Sequence, residues 1–104
     1  MASYKLTPLV ISDLEAIWRY TEEEWGITQA EFYLDQMDDA FGLLAEQPKL
    51  SRIRNEFRPP VRIYHHAHHL IVYDTHLDGI RPDGIIIIRV LHESMDVASR
   101  LVEE

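Results

Sequence analysis

The sequence predicts an α+β domain: an N-terminal strand, an antiparallel helix hairpin packed on a small antiparallel β-sheet, and a short C-terminal helix. Two observations lead to this class. Apolar residues recur at helical spacing through the first half of the 104-residue chain, whereas short apolar runs separated by turn residues follow in the second half. Because no internal repeat or linker-like segment divides the chain, a single domain spanning residues 1–104 is expected.

A short strand and an amphipathic helix are predicted near the N-terminus. Residues 3–6 mix polar and apolar side chains and predict the strand. Thr7 is predicted to cap the helix, with Pro8 at its first position, where a missing N–H is tolerated. The helix should cover residues 8–24, and its apolar positions are Ile11, Leu14, Ile17 and Trp18.

A second amphipathic helix is predicted after Gly26, which suits the left-handed residue that often ends a helix. Residues 28–31 read Thr-Gln-Ala-Glu, which has the form of a capping box, and Pro48 should end the helix. Two helices joined by so short a link predict an antiparallel hairpin. The apolar stripe of the second helix is Ala30, Tyr33, Leu34, Met37, Phe41 and Leu44.

Three strands are predicted in the second half, after a basic and irregular segment at 49–60. The first two are joined by the histidine-rich stretch 65–69, and Asp78-Gly79 and Pro82-Asp83-Gly84 predict a loop before the third. A short helix from Asp96 should follow. The predicted strands are 61–64, 70–73 and 85–91, and the apolar residues of the last helix are Val97, Leu101 and Val102.

The last strand has more apolar residues than one buried face requires. Alternation places Ile86, Ile88 and Val90 towards the helices. Ile85, Ile87 and Leu91 then point to the other face, which would be exposed to solvent in a two-layer domain. Contiguous exposed aliphatic side chains are typical of a partner surface, so we expect one here. The alternative is that a short C-terminal segment covers them.

Charge is distributed unevenly along the chain, whose formal net charge is −8. Residues 9–48 carry ten acids against Arg19 alone, whereas residues 49–73 carry five cations against Glu56 alone. The overall sign argues against non-specific nucleic-acid binding by the whole surface, and an anionic partner would meet the middle segment. The five cations are Lys49, Arg52, Arg54, Arg58 and Arg62.

Several classes of protein are disfavoured by composition. The absence of cysteine excludes disulfides, zinc–thiolate sites and thiol nucleophiles. No apolar run approaches the roughly 20 residues that cross a bilayer, and the N-terminus lacks an apolar signal segment, so we expect a cytoplasmic protein without membrane contact. No motif indicates a cofactor or a small-molecule substrate.

Histidines form the most conspicuous polar cluster. His65, His66, His68 and His69 invite a metal hypothesis, because imidazole binds zinc, copper and nickel. Successive strand residues point to opposite faces, however, so at most two of these side chains share a side unless the segment turns. We therefore favour titratable imidazoles on a hairpin, which gain positive charge as the pH falls.

The end of the last strand presents two residues with possible chemistry, Arg89 and His92. A general acid–base role is conceivable. No nucleophile lies at a recognisable spacing, since Ser94 stands outside any motif. The alternative, which we favour, is that Arg89 pairs with a carboxylate and His92 makes a structural hydrogen bond.

The basic series at 52–62 has two interpretations. It could bind nucleic acid, with Tyr64 and Tyr73 available for stacking on bases. It could equally be a solvated loop that pairs with the acids of the second helix. The sequence does not decide between them.

Four segments resemble, in the same order, those of the ParE branch of the RelE/ParE toxin superfamily, and the likeness spans nearly the whole chain. Residues 13–20 (DLEAIWRY) are similar to the opening helix, and 40–48 (AFGLLAEQP) to the end of the second helix. Residues 58–73, with Val61-Arg62 and Leu70-Ile71-Val72-Tyr73, resemble the central strands. Residues 88–92 (IRVLH) with Asp96 resemble the last strand.

The resemblance implies the toxin of a type II toxin-antitoxin system, neutralised by direct binding of a cognate ParD-like antitoxin. ParE-like toxins are associated with inhibition of DNA gyrase, and operator DNA would be contacted only through the antitoxin. RelE-like relatives instead cleave mRNA at the ribosome, using basic, tyrosine or histidine side chains just after the last strand.

This chain has Ser94, Met95, Val97 and Ala98 after its last strand. The resemblance therefore favours gyrase inhibition by protein contact, without catalysis. The alternatives are a ribosome-dependent endoribonuclease of RelE type and a non-toxic binding module on the same fold. Exposure and charge lead us to expect partner contacts at Ile87, Arg89, Leu91, His92, Met95, Asp96, Arg58, Arg62 and His68.

Overall fold

A computed structural model describes residues 3–75 and 84–101 and has the predicted α+β class. None of the helices in these ranges is long and apolar enough to cross a membrane. The predicted loop at 78–83 and Val102 lie outside the described residues. The elements are β1 (Ser3–Leu6), α1 (Pro8–Trp25), α2 (Ile27–Glu46), a 3-10 turn (Pro48–Leu50), β2 (Ile53–Arg54), β3 (Val61–His66), β4 (His69–Thr75), β5 (Gly84–His92) and α3 (Val97–Leu101).

The N-terminus of α1 is capped as predicted. The Thr7 hydroxyl accepts a hydrogen bond from the Val10 amide at 3.2 Å and donates one to the Ile88 carbonyl at 3.0 Å. Pro8 occupies the start of the helix, where its ring fits and its absent N–H is not needed. The cap therefore also attaches α1 to the middle of β5.

Gly26 joins the two helices, serving as the C-cap of α1 and the N-cap of α2. Its φ is positive, as predicted, but its ψ of 169° places it in the extended region that only glycine adopts readily, rather than in the left-handed helical one. The capping-box prediction for Thr28–Glu31 is wrong. The helix already begins at Ile27, so Thr28 lies inside it and no side chain caps the end.

We expect Gly26→Ala to lower the free energy of unfolding by about 1–3 kcal/mol, because a Cβ disfavours this backbone conformation. No heavy atom lies within 4 Å of the position that the Cβ would occupy, so the effect is one of backbone alone. Gly42→Ala is the matched control. Gly42 lies inside α2 with the same open space, and alanine there should raise stability by about 0.5–1 kcal/mol. Urea unfolding of both variants tests whether the free energy of unfolding falls in Gly26→Ala and rises in Gly42→Ala.

The sheet is mixed, with strand order β1-β5-β4-β3-β2. The predicted antiparallel meander is confirmed for β3, β4 and β5, and the turn between the first two is Ala67-His68. The sheet also contains a parallel pair that was not predicted, because β1 lies beside β5 and runs in the same direction. The helix hairpin carries the chain from β1 across the sheet to β2 at the opposite edge, and the meander then returns it to β5 beside β1. The two-residue β2 was not predicted, and it forms the edge of the sheet beside β3.

A β-bulge in β5 sets which residues face the helices. Val72 pairs with Arg89, but the next residue, Tyr73, pairs with Ile87, so Ile88 is an extra residue in β5. The alternation of β5 side chains between the two faces of the sheet is therefore shifted by one residue at Ile88. Ile85, Ile87 and Val90 lie in the core with α1 and α2, contrary to the predicted assignment of Ile86 and Ile88 to that face.

The helix-facing core contains most of the predicted stripe of α2, with Met37 and Leu44 fully buried against β4 and β5. The predicted stripe of α1 is only partly correct. Ile17 is buried, but Ile11 is 46% exposed and Val10 takes the inner position instead. The opposite face of the sheet has a smaller core of its own. Its buried residues are Val61, Val72 and Leu91, covered by Phe57, Ile63, Ile88, Val97 and Leu101.

Candidate functional site

Polar side chains gather at the end of the sheet where the β3–β4 hairpin meets the exit of β5. The backbone amide of Glu93 donates to the carbonyl of His68 at 2.9 Å and joins the two segments. A tight bend follows, in which the Met95 amide donates to the His92 carbonyl at 2.9 Å. We call this set the histidine end. Its members are Tyr33, His65, His66, His68, His69, His92 and Glu93.

Glu93 holds two imidazoles at the outer side of the histidine end. One carboxylate oxygen lies 2.9 Å from His65 Nε2, and the other lies 3.2 Å from His68 Nδ1. These hydrogen bonds, that of His68 first, lower the pKa of Glu93. The carboxylate therefore orients both rings.

Tyr33 and His69 form the inner side of the histidine end. The Tyr33 hydroxyl lies 2.6 Å from His69 Nδ1, and the His69 ring meets that of His92 edge to face at 5.5 Å between centroids. Burial, and then the neighbouring His92, lowers the pKa of His69 to about 4. Burial also lowers the pKa of His66 and raises that of Tyr33. This inner side is therefore uncharged at neutral pH.

We expect stability to fall on acidification because His69 is buried in its neutral form. Its pKa drops from the ordinary value of 6.5 to about 4 on folding, so the unfolded chain takes up the proton first. The stability that neutral His69 contributes is complete above pH 6.5 and is lost as the pH falls towards 4. A loss of about 1–2 kcal/mol is expected after allowance for its partial exposure.

Urea unfolding at pH 7.5 and at pH 5 tests this dependence. His69→Gln removes the titrating group and should make the loss smaller. His68→Gln, at a side chain that is 75% exposed, is the control and should retain most of the loss, because burial is the largest cause of the lowered pKa of His69. An equal pH dependence in the wild type and His69→Gln would contradict the assignment.

The metal hypothesis finds no supporting geometry. Within residues 3–75 and 84–101, no group of three or more histidine, aspartate or glutamate side chains is arranged to hold a metal ion. The ring nitrogens of His65, His68 and His69 instead hydrogen-bond to Glu93 or Tyr33. His66 Nε2 is buried without a partner in the described part of the chain.

The predicted exposure of Ile87 and Leu91 is wrong. Ile87 is 0% exposed and Leu91 is 1% exposed, so neither presents a side chain to a partner. The bulge turns Ile87 inwards to the helices, and Val97 and Leu101 of α3 help to cover Leu91. The alternative interpretation, a C-terminal segment covering these side chains, is correct for Leu91 only, because Ile85 and Ile87 lie on the helix-facing side of the sheet.

Arg89 forms the carboxylate pair that we favoured. Its Nε and Nη2 donate to the two oxygens of Asp13 at 2.9 and 3.0 Å, and the side chains are 11% and 13% exposed. The Val90 amide donates to the same carboxylate at 3.0 Å. Asp13 therefore attaches α1 to β5, and Arg89 is engaged in the fold.

His92 also makes the expected structural hydrogen bond. Its Nδ1 lies 2.8 Å from the Ser94 hydroxyl and accepts from the Ser94 amide at 3.1 Å. His92 is nevertheless exposed, as are Asp96 and Met95, the last at 40%. Asp96 accepts a hydrogen bond from the Ser99 hydroxyl at 2.9 Å and so helps to begin α3.

The predicted contact residues thus divide into separate groups. His68, His92, Met95 and Asp96 are exposed at or just after the histidine end. Arg58 is exposed before the start of β3, at its other end, and Arg62 donates to the Ser51 carbonyl at 2.6 Å. The structure does not bring the arginines and the histidine end into one site.

The stacking role considered for the tyrosines is not supported. Tyr73 is completely buried, and its hydroxyl donates to the Pro48 carbonyl at 2.8 Å. Tyr64 packs partly buried against the helix-facing core. The other interpretation also fails in the described residues, since Arg54 pairs with Glu56 rather than with an acid of α2.

Three residues with defined roles were not singled out as site residues from the sequence. In the sequence, Tyr33 was part of an apolar stripe and Asp13 part of a helix motif, whereas Glu93 was not considered. The one usable signal was the position of Glu93, directly after a strand that should end beside a histidine hairpin.

Comparison with known proteins identifies relatives of this chain. The family model described as "ParE toxin of type II toxin-antitoxin system, parDE" matches residues 4–97. "Toxin ParE1" of Mycobacterium tuberculosis is 36% identical over 98 residues, covering 94% of this chain and 96% of that protein. "Toxin ParE1" of Caulobacter vibrioides is 32% identical over 101 residues, covering 97% and 99% respectively.

The fold also matches a solved structure, "Chromosomal ParDE TA system from P. aeruginosa". The TM-score is 0.68 at 19% sequence identity, and the match covers 88% of this chain and 96% of that one. At this identity the likeness supports the fold alone.

Proposed function

This chain belongs to the ParE toxin family of type II toxin-antitoxin systems, and from that premise we propose that a cognate ParD-like antitoxin neutralises it by direct binding. The observation that carries the proposal is the family match over residues 4–97. The antitoxin, rather than this acidic chain, would contact operator DNA. The toxin would act in the cytoplasm, where its target lies.

The exposed residues that follow the histidine end offer a surface for such a partner. Met95 is 40% exposed and lies in the bend between β5 and α3, beside the exposed His92 and Asp96. His68 is exposed on the adjoining turn. An apolar side chain surrounded by exposed hydrogen-bonding groups is the usual composition of a protein interface.

DNA gyrase is the proposed target, inhibited by protein contact without bond cleavage. The family association suggests gyrase, and the residues after β5 support a non-catalytic mode. Among them, Ser94 has its hydroxyl engaged with His92 Nδ1 at 2.8 Å, and Met95, Val97 and Ala98 carry no titratable group.

One observation favours a second candidate activity, cleavage of mRNA. His65 and His68 are exposed imidazoles oriented by the Glu93 carboxylate. Such pairs are suited to general acid–base chemistry. The net charge of −8 is unfavourable for RNA binding, so we rank this activity second.

Induced expression in a bacterial host, with and without co-expression of a cognate ParD-like antitoxin, tests the proposal. We expect growth arrest with filamentation and DNA-damage signalling, reversed by the antitoxin. Glu93→Gln is the matched variant, because it should spare gyrase inhibition but impair imidazole-dependent cleavage. Arrest with transcript cleavage at ribosomes, abolished by Glu93→Gln, would support the nuclease instead. Unimpaired growth would contradict both.

A further inference from the structure

The 3-10 turn and β2 form an exposed strip in which cationic and aliphatic side chains alternate. Lys49 and Arg52 are exposed, as are Leu50 at 48% and Ile53 at 37%. Arg58 follows on the loop that leads to β3. We call these five residues the basic edge strip. It is distinct from the histidine end, which lies at the far end of β3.

In the described part of the chain, the cations of this strip make no close polar contact, and Arg52 acts only at longer range, where its charge helps to lower the pKa of Glu56. Within the described residues, the side chains of Lys49, Arg52 and Arg58 make no hydrogen bond or ion pair. The two neighbouring cations, Arg54 and Arg62, do make contacts within the chain. Arg54 pairs with Glu56 at 2.7 Å and lies over the Phe57 ring, and Arg62 donates to the Ser51 carbonyl. Three unpaired cations thus surround two exposed aliphatic side chains.

The strip also lies at an open edge of the sheet. Among residues 3–75 and 84–101, β2 is the last strand in the order β1-β5-β4-β3-β2 and pairs only with β3, through Ile53 with Arg62 and Arg54 with Val61. An edge strand presents backbone groups that an extended segment can bind. Positive charge at such an edge discourages pairing between copies of the same edge and selects a segment of opposite charge.

We propose that the basic edge strip binds an acidic, extended segment of a partner polypeptide that carries aliphatic side chains. Its carboxylates pair with Lys49, Arg52 and Arg58, and its aliphatic side chains contact Leu50 and Ile53. The assignment of this segment to the inhibitory part of the antitoxin rests on the proposed function. The binding of an acidic, aliphatic segment to the strip does not depend on that function.

The test uses the purified full chain and a labelled short peptide of alternating glutamate and valine, followed by fluorescence anisotropy. Arg52→Glu/Arg58→Glu should weaken binding at least about tenfold, and raised salt should weaken it in the wild type. Lys5→Glu/Arg19→Glu is matched in charge and alters exposed cations away from the strip, on β1 and α1. This control should change affinity by less than about threefold. Thermal unfolding checks that both variants fold, and Lys49→Glu/Arg52→Glu replaces the first if it does not.

Three outcomes would overturn the proposal. They are no binding of the peptide to the wild type, equal weakening of binding in both double variants, and displacement of the peptide by a short single-stranded DNA. The last result would make the strip a nucleic-acid site.

A growth assay separates this proposal from the proposed function. If the wild-type toxin arrests growth and the antitoxin rescues Arg52→Glu/Arg58→Glu as well as the control, the function stands and the assignment of the strip to the antitoxin is wrong. A wild type that is harmless contradicts the function alone.

Discussion

Replacing Asp13 by alanine is expected to lower the free energy of unfolding by about 3–5 kcal/mol, the cost of leaving a buried charge without its partner. Arg89, 11% exposed, would lose two hydrogen bonds to the Asp13 carboxylate, and the Val90 amide would lose one. Because these contacts join α1 to β5 across most of the sequence, their loss weakens the attachment of the helix hairpin to the sheet. Urea unfolding at pH 7.5 measures the change.

Two further variants show whether the effect belongs to the pair. Glu15→Ala, at an exposed acid of the same helix, should change stability by no more than about 0.5 kcal/mol. Asp13→Leu/Arg89→Met removes both charges and should retain more stability than Asp13→Ala, because no unpaired charge remains. A double variant no more stable than Asp13→Ala would contradict this explanation.

Replacing Ile87 by alanine is expected to lower the free energy of unfolding by about 3–4 kcal/mol. The side chain is fully buried between β5 and the helix hairpin, so its loss leaves a cavity in the core. Met95→Ala is the contrasting variant, because Met95 is 40% exposed after the last strand. It should change stability by no more than about 0.5 kcal/mol and should instead weaken antitoxin binding.

The two variants separate a core role from a partner role for the last strand. Urea unfolding gives the stability of each, and titration with the antitoxin gives its affinity. If Ile87→Ala left stability unchanged and reduced only the affinity, the residue would be a partner contact and the observed burial would not describe the protein in solution.

Local patterns in the sequence predicted the secondary structure well. The Thr7-Pro8 start of α1, the stripe of α2 and the strands at 61–64, 70–73 and 85–91 each depend on neighbouring residues, and each is confirmed to within a few positions. Capping was harder to predict. A glycine in an extended, positive-φ conformation ends one helix and begins the next without any side-chain cap, so Thr28–Glu31 resembled a signal that the chain does not use.

Features that depend on pairing between distant segments were not predictable. The extra residue at Ile88 reverses the alternation of β5, and nothing in a run of four isoleucines marks it. The parallel pairing of β1 with β5 depends on how the helix hairpin crosses the sheet. Both features involve the strand from which the exposed partner face was inferred, so that inference failed although the strand itself was placed correctly.

The histidine end was partly predictable. The histidines of residues 65–69 were recognised as a hairpin cluster, but their partners come from α2 and from the exit of β5. The pair of Asp13 with Arg89 joins residues that are 76 positions apart, so the sequence predicted a carboxylate partner for Arg89 without identifying it.

A DNA supercoiling assay with purified gyrase tests the proposed function most directly. Relaxed plasmid, gyrase and ATP are mixed with increasing amounts of the purified protein, with and without its antitoxin. We expect inhibition of supercoiling, accumulation of cleaved DNA–gyrase complexes, and full relief when the antitoxin is added. Unchanged supercoiling at a large excess of folded protein would contradict the claim that this ParE family member acts by contact with gyrase.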